Sequence, residues 1–315
     1  MGYPTVSRRE PVQVGRASAA SAASASPPTD RVVAVVELLA AGPADAYAAS
    51  EVARMLGLNR STATAVLSAL EAAAWVRRLP DRRYSLGPQL LTVAEGVRAR
   101  LPEFGRAEAV IRSLAGETGY GCALSRAEGE YLTVVALHRG RGRVPAGVTP
   151  GTRFRLRAPA GAAVVAWRSD ADRETWLRDT PQRRADQLRR FLTTIRSEGV
   201  GVWRLEPGAD TDLLELLGQV AAALAADPTQ RELRTKVLAI LGSFSTYGYR
   251  ADELASARTV PVSYLVTPVF DAAGEVRYEL QMGILRPDVP KPELEGCIRR
   301  LRAAGEALSS RVSFR

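Results

Sequence analysis

The sequence predicts an α+β chain of two domains, a winged helix-turn-helix followed by a larger regulatory domain, and three observations predict it. Two short helical segments flank a turn containing Gly57, and an arginine-rich hairpin comes directly after them. Strands flanked by helices fill most of the rest. The 315 residues suffice for two domains, at about 100–200 residues each.

Taken in order, residues 1–29 contain an Ala/Ser tract, Ala17 to Ser26, followed by Pro27 and Pro28. The tract offers little apolar surface to bury, so a disordered arm is expected. Its Arg8, Arg9 and Arg16 read either as a solvated tail or as DNA contacts. Order is expected from Asp30, a candidate N-cap. Val32, Val33, Val35, Val36, Leu38 and Leu39 then give a helix a broad apolar face, closed by Gly42-Pro43. Ser50–Leu56 is a short helix, Gly57-Leu58-Asn59 a tight turn, and Arg60–Ala74 a second helix with Val66, Leu67 and Leu70 inward. Trp75–Leu79 and Tyr84–Leu86 form a hairpin across Pro80–Arg83. The winged unit so read spans 30–88, and a helix over Gln89–Arg100 makes residues 89–103 a linker.

Residues 104–315 form the second domain. Helices are expected over Glu103–Thr118, Ala158–Arg168, Asp186–Glu198, Asp212–Ala226, Gln230–Leu241 and 291–310. Strands are expected over Cys122–Ser125, Glu130–Leu137, Arg153–Leu156, Val262–Phe270 and Glu275–Leu285, with turns at Glu128-Gly129 and Asp271–Gly274.

The winged unit carries the sharpest chemistry. Ala53 lets the two helices cross closely, and Gly57 supplies backbone angles that the turn needs. The second helix opens with Asn59, Arg60, Ser61, Thr62 and Thr64, at the end where a recognition helix meets base edges and phosphates. The hairpin holds Arg77, Arg78, Arg82 and Arg83 within seven residues, with Tyr84 beside them. Four guanidinium groups there suit the DNA backbone or minor groove. The bland alternative is a helical pair with a solvated basic hairpin. Net charge is +9, which favours anionic partners. Most of the excess lies in residues 104–207, where Arg139, Arg141, Arg143, Arg153, Arg155 and Arg157 cluster. That cluster reads as a solvated face, an anion site or a second DNA contact.

Several classes are excluded. Two cysteines, Cys122 and Cys297, make no disulfide scaffold. With the single His138 they make no zinc site. No metal and no cofactor are expected. His138 lacks a Ser or Asp constellation, Cys122 reads as a core residue, and Asp172, Glu174 and Asp179 have no partner histidine, so no catalytic residue is assigned and the chain is read as a non-enzyme. Gly140-Arg141-Gly142 is no phosphate loop. No run of eighteen apolar residues and no leader pattern appear, so a cytoplasmic protein away from the membrane is expected.

The stretch SEVARMLGLNRSTATAVLSALEAAAWVRR…RRYSLGPQLL resembles the winged helix of IclR-type regulators. The resemblance continues through ETGYGCALSRAEGEYLTVV, VTPGTRFRLRAPAGAAVVAW and IRSEGVGVWRLEPG, and resumes at LVTPVFDAAGEV. It implies a GAF-like effector-binding domain over 104–315, a homodimer or homotetramer, a double-stranded DNA operator and a small-molecule effector. The effector half departs from the family pattern. Tyr264 stands where a cysteine is usual, Gln281 and Gly283 where small hydroxyl residues are usual, and Trp203 and Arg204 in place of an acidic pair. Ala162 replaces a lysine, and a helical insertion at about 209–260 follows Glu206-Pro207-Gly208. Trp203, Arg204, Tyr264, Gln281 and Gly283 are therefore the candidate ligand residues. They are expected to favour a flat or bulky ligand with an acceptor or anion, the inserted helices serving as a lid. Two other readings stand beside this one. In the first, a vestigial sensor domain answers to a protein partner. In the second, an enzyme or sensor carries an incidental helical N-terminus.

Overall fold

The structure is a computed structural model that describes residues 26–41, 44–100, 103–140, 148–206 and 247–309, with isolated positions between 216 and 240. The expected arm falls largely on residues 1–25, outside the described residues. So do most of the two expected helices between 212 and 241.

The first unit comprises α1 (Pro27–Ala41), α2 (Ala49–Met55), α3 (Arg60–Ala72), β1 (Val76–Arg78) and β2 (Tyr84–Leu86). Helix α1 starts three residues before the expected cap at Asp30. A proline fits a first helical turn because its missing N–H has no intrahelical partner there, and Asp30 instead places its charge near the positive end of the dipole. The α2–α3 turn follows the expectation: Gly57 has φ +62°, and Leu58 N–H donates to the Ala53 carbonyl at 2.9 Å. Val35, Leu38, Val52, Ala63, Leu67 and Val76 share one apolar cluster. Leu38 and Leu67 are fully buried, each worth about 2 kcal/mol of transfer free energy. The hairpin pairs Val76 with Leu86 and Arg78 with Tyr84. Tyr84 also exchanges backbone hydrogen bonds with Tyr47, at 2.8 and 2.9 Å, which ties the wing to the entrance of α2.

Helix α4 (Gln89–Arg100) leads into α5 (Glu103–Thr118), both with the expected bounds. Then come β3 (Gly121–Glu128), β4 (Tyr131–His138), β5 (Arg153–Arg155), α6 (Ala162–Val165), α7 (Asp170–Leu177), α8 (Gln182–Glu198) and β6 (Gly201–Arg204). After the insertion follow β7 (Tyr247–Gly248), α9 (Ala251–Ser256), β8 (Thr259–Phe270), β9 (Val276–Pro290) and α10 (Lys291–Leu308). The strands form one seven-stranded antiparallel sheet in the order β5-β4-β3-β9-β8-β6-β7.

Apolar alternation along the strands splits the core in two. Leu124, Leu265, Leu280 and Met282 pack under α5 and α10, together with Ile111, Leu114, Leu294 and Leu301. Leu132, Trp203 and Val266 pack on the opposite side under α6, α7 and α8, with Trp176, Leu188, Phe191 and Ile195. Cys122 and Cys297 lie in the first cluster, and burial pushes their thiols up to about 12 and about 11.

Several expected elements differ. The Ala-rich helix over 158–168 shrinks to Ala162–Val165, because Pro159 interrupts it and Gly161 enters it at φ +77°. Helix α8 starts four residues before Asp186. Helix α7, capped by Ser169 accepting from Asp172 N–H at 3.2 Å, takes in the acidic residues Asp172 and Glu174. The chain returns from its insertion at Tyr247, where β7 pairs with β6 (Trp203 with Gly248); the short helix α9 follows, and β8 begins at Thr259. A Cβ on Gly248 would fall 2.0 Å from the Phe191 ring, so only glycine fits that contact.

Candidate functional site

Helix α3 presents one polar edge. Arg60, Ser61, Thr64 and Ser68 are exposed, while Ala63, Leu67 and Leu70 face the core. The spacing of these exposed positions is that of one helix face. Ser68, which belongs to this edge, was absent from the residues assigned from the sequence, although its distance from Ser61 and Thr64 marks it. Asn59 turns out to be the cap: its Oδ1 accepts from Thr62 N–H at 2.7 Å and from the Ser61 hydroxyl at 2.9 Å. Its carbonyl oxygen is therefore committed to holding the helix end in place. Thr62 is half-buried behind it.

The four wing arginines are all exposed, with different local ties. Arg77 Nε donates to the Ser85 hydroxyl at 2.9 Å, and Arg83 Nε donates to Asp81 at 2.6 Å. Arg78 lies over the Tyr84 ring, 5.6 Å from its centroid. Arg82 sits in the hairpin turn with φ +66°. Tyr84 itself is buried in the winged core. Its ring lies under the Arg78 guanidinium, its cross-strand partner.

In the second unit the structure gathers Trp203, Tyr264 and Gln281 on the sheet face under α6 and α8. The Trp203 and Tyr264 rings stack at 5.6 Å and 24°, and Phe191 meets Trp203 edge-on at 4.6 Å. Gly283 is the register partner of Tyr264. Arg204 is not brought to this face. Strand alternation sends it the other way, where its guanidinium lies 5.6 Å from the Tyr249 ring in the α5/α10 cluster. Gln281 spends its amide on a residue that sequence reasoning missed, Glu279. Glu279 is buried, accepts from Ala163 N–H at 2.7 Å, and is pushed up by burial to about 7. The only signal was a single acid inside the apolar run Tyr278 to Leu285, at a position sharing Gln281's face.

The basic cluster is partly described. Arg153, stacked 4.1 Å from the Tyr131 ring, and Arg155 are exposed on the edge strand β5. Arg157 pairs with Asp179 at 2.7 Å. Arg141 and Arg143 lie outside the described residues. Among the described residues, no group of three or more His, Cys, Asp or Glu is placed to hold a metal, and no helix is long and apolar enough to cross a membrane.

Residues 28–80 match the family model of the IclR helix-turn-helix domain. The whole fold is similar to that of an IclR from Thermotoga maritima, at TM-score 0.58 and 15% identity over 91% of this chain and 98% of the other. It is also similar to HmgR from Pseudomonas aeruginosa (0.54, 18%, 89% and 97%). An IclR transcriptional regulator from Alicyclobacillus acidocaldarius gives 0.53 and 18% over 90% and 98%. No curated protein sequence matches the chain.

Proposed function

We propose that this chain, which carries an IclR-type helix-turn-helix domain over residues 28–80, is a sequence-specific, dimeric transcription regulator acting in the cytoplasm. The observation that carries the reading is the exposed edge of Arg60, Ser61, Thr64 and Ser68 on α3, set beside a wing with four exposed arginines. The helix edge supplies base-reading hydroxyls and a guanidinium, and the wing supplies phosphate contacts. Footprinting of genomic fragments with purified protein tests this directly. A protected site with half-sites about one helical turn apart is expected, and salt-dependent binding with no preferred sequence would contradict it.

Dimerisation is supported by α4, whose Leu91, Val93 and Val97 are exposed, along with Val33 of α1. Apolar residues on a linker helix with so little of its own chain to cover are best buried by a second copy. Ligand responsiveness is supported by the aromatic pair Trp203–Tyr264 and by the buried polar groups around it. An effector bound there would act by favouring one spacing of the two winged helices over another, through its differential affinity for the two states.

A further inference from the structure

A serine or threonine hydroxyl on a recognition helix is an ambiguous reader, because it donates one hydrogen bond and also accepts. In the major groove it suits the amino group of adenine or cytosine as well as the keto group of guanine or thymine. Helix α3 removes that ambiguity at one position. The Ser61 hydroxyl donates to Asn59 Oδ1 at 2.9 Å, and its single hydrogen is spent there.

The direction of this bond is fixed by a second one. Thr62 N–H donates to the same Asn59 atom at 2.7 Å, and a backbone N–H needs the carbonyl oxygen of the amide, not its NH2 group. A carbonyl oxygen only accepts, so Ser61 is the donor. Asn59 is the N-cap of α3, and the Thr62 N–H holds its side chain whichever way Ser61 turns. Ser61 is exposed on the same helix edge as Thr64 and Ser68. What it turns toward a groove is therefore lone pairs.

We infer that Ser61 reads DNA as a hydrogen-bond acceptor, set in that polarity by Asn59, and recognises its base pair through the exocyclic amino group, N6 of adenine or N4 of cytosine. This rests on the DNA-binding reading of α3 and adds the polarity of one contact to it. Each base pair shows one such group in the major groove, so the contact tells A·T from T·A and C·G from G·C by where that group lies. Turning the hydroxyl to meet a keto oxygen forfeits the bond to Asn59, a penalty of about fivefold. Arg60, the exposed neighbour of Ser61, carries donors only. The two adjacent side chains thus present opposite polarities to the base edges. Asn59 is a positioning residue, acting on the base through Ser61.

The test is a double-mutant cycle on the full chain and the duplex recovered by footprinting. Selection with wild type and Ser61→Ala first locates the base pair whose preference Ser61 sets. In one duplex the amino group of that pair is deleted, with purine for adenine or pyrimidin-2-one for cytosine. In another the keto group is deleted, with 2-aminopurine for guanine or 5-methylpyrimidin-2-one for thymine. Loss of the amino group is expected to weaken the wild type about fivefold more than it weakens Ser61→Ala. Loss of the keto group is expected to affect both alike. Asn59→Asp, which keeps the accepting oxygen, is expected to bind every duplex more weakly and to retain the coupling. Asn59→Ala, which frees the Ser61 hydrogen, is expected to lose it. A purely structural loss at the helix end would lower affinity for all duplexes and leave the coupling as it was. Coupling to the keto group, or a consensus that Ser61→Ala leaves unchanged, overturns the acceptor assignment while the DNA-binding reading stands. Coupling that survives Asn59→Ala overturns the part given to Asn59. If footprinting recovers no preferred site, the DNA-binding reading itself fails and takes the inference with it.

Discussion

The winged unit and the sensor face carry their polar groups in opposite ways. On α3 and the hairpin, Arg60, Ser61, Thr64 and Arg82 stand exposed to water. On the sheet, Glu279 and Trp203 are buried with their bonding needs met in part or not at all. Exposed charges cost little to keep, so such a surface is tuned for encounter. Buried ones are expensive unless their hydrogen-bonding needs are met.

The largest effect expected concerns the element between the two regions. Leu91→Glu puts a charge on the exposed apolar strip of α4 and should yield monomers whose operator affinity falls by about 10²–10⁴, the gain that linked half-sites supply. Light scattering with fluorescence anisotropy checks it, and a dimer that persists would break the assignment of α4. Val36→Glu is a poorer probe, because Val36 packs against the winged core and its change tests folding.

Next in size is the buried acid. Glu279 holds its proton up to about 7 in the folded protein, against an ordinary value of 4.5. The folded state thus binds more protons than the unfolded one as pH rises between these values, and stability falls across that window. The loss is on the order of 3 kcal/mol, reduced by the hydrogen bonds that Gln281 and the Ala163 N–H donate to the carboxylate. Urea unfolding at pH 5 and pH 8 should show the fall in the wild type and its disappearance in Glu279→Gln. The exposed Arg83–Asp81 pair should leave no such trace, since water screens it.

On the wing, Arg82→Ala with Arg83→Ala should weaken binding to all duplexes by roughly tenfold and lower the salt slope by about one for each lost contact. Arg82 should account for more of this than Arg83, which must first leave Asp81. The smallest effect is expected at Thr64→Ala, about 1 kcal/mol at one base pair of each half-site. A selection experiment that returns the wild-type consensus would remove Thr64 from base reading.

These contrasts also explain what was legible in the sequence. Helices α2 and α3 follow from the placement of Val52, Ala53, Leu67 and Leu70 around a turn at Gly57, a local pattern. The β3–β4 and β8–β9 turns follow from Glu128-Gly129 and Asp271–Gly274 for the same reason. Strand β6 was hidden because Gly201–Arg204 is four residues long and draws its stability from pairing with β8, a distant segment. The role of Glu279 was hidden likewise. An acid between Tyr278 and Leu280 says nothing of Ala163, 116 residues away, whose N–H it accepts. The burial of Tyr84 was hidden too, because its bridge to Tyr47 joins positions 37 residues apart.

The rung that joins Trp203 to Gly248 brings the two ends of the extra segment together at the sheet edge. The stretch between those residues leaves and re-enters the fold at one point, like a purse closed by a single clasp. For such a stretch the entropy of holding the ends together grows only with the logarithm of its length, about 0.6 kcal/mol for each doubling. By the same arithmetic a short turn spliced between β6 and β7 would leave the sheet intact, provided position 248 stays a glycine under Phe191.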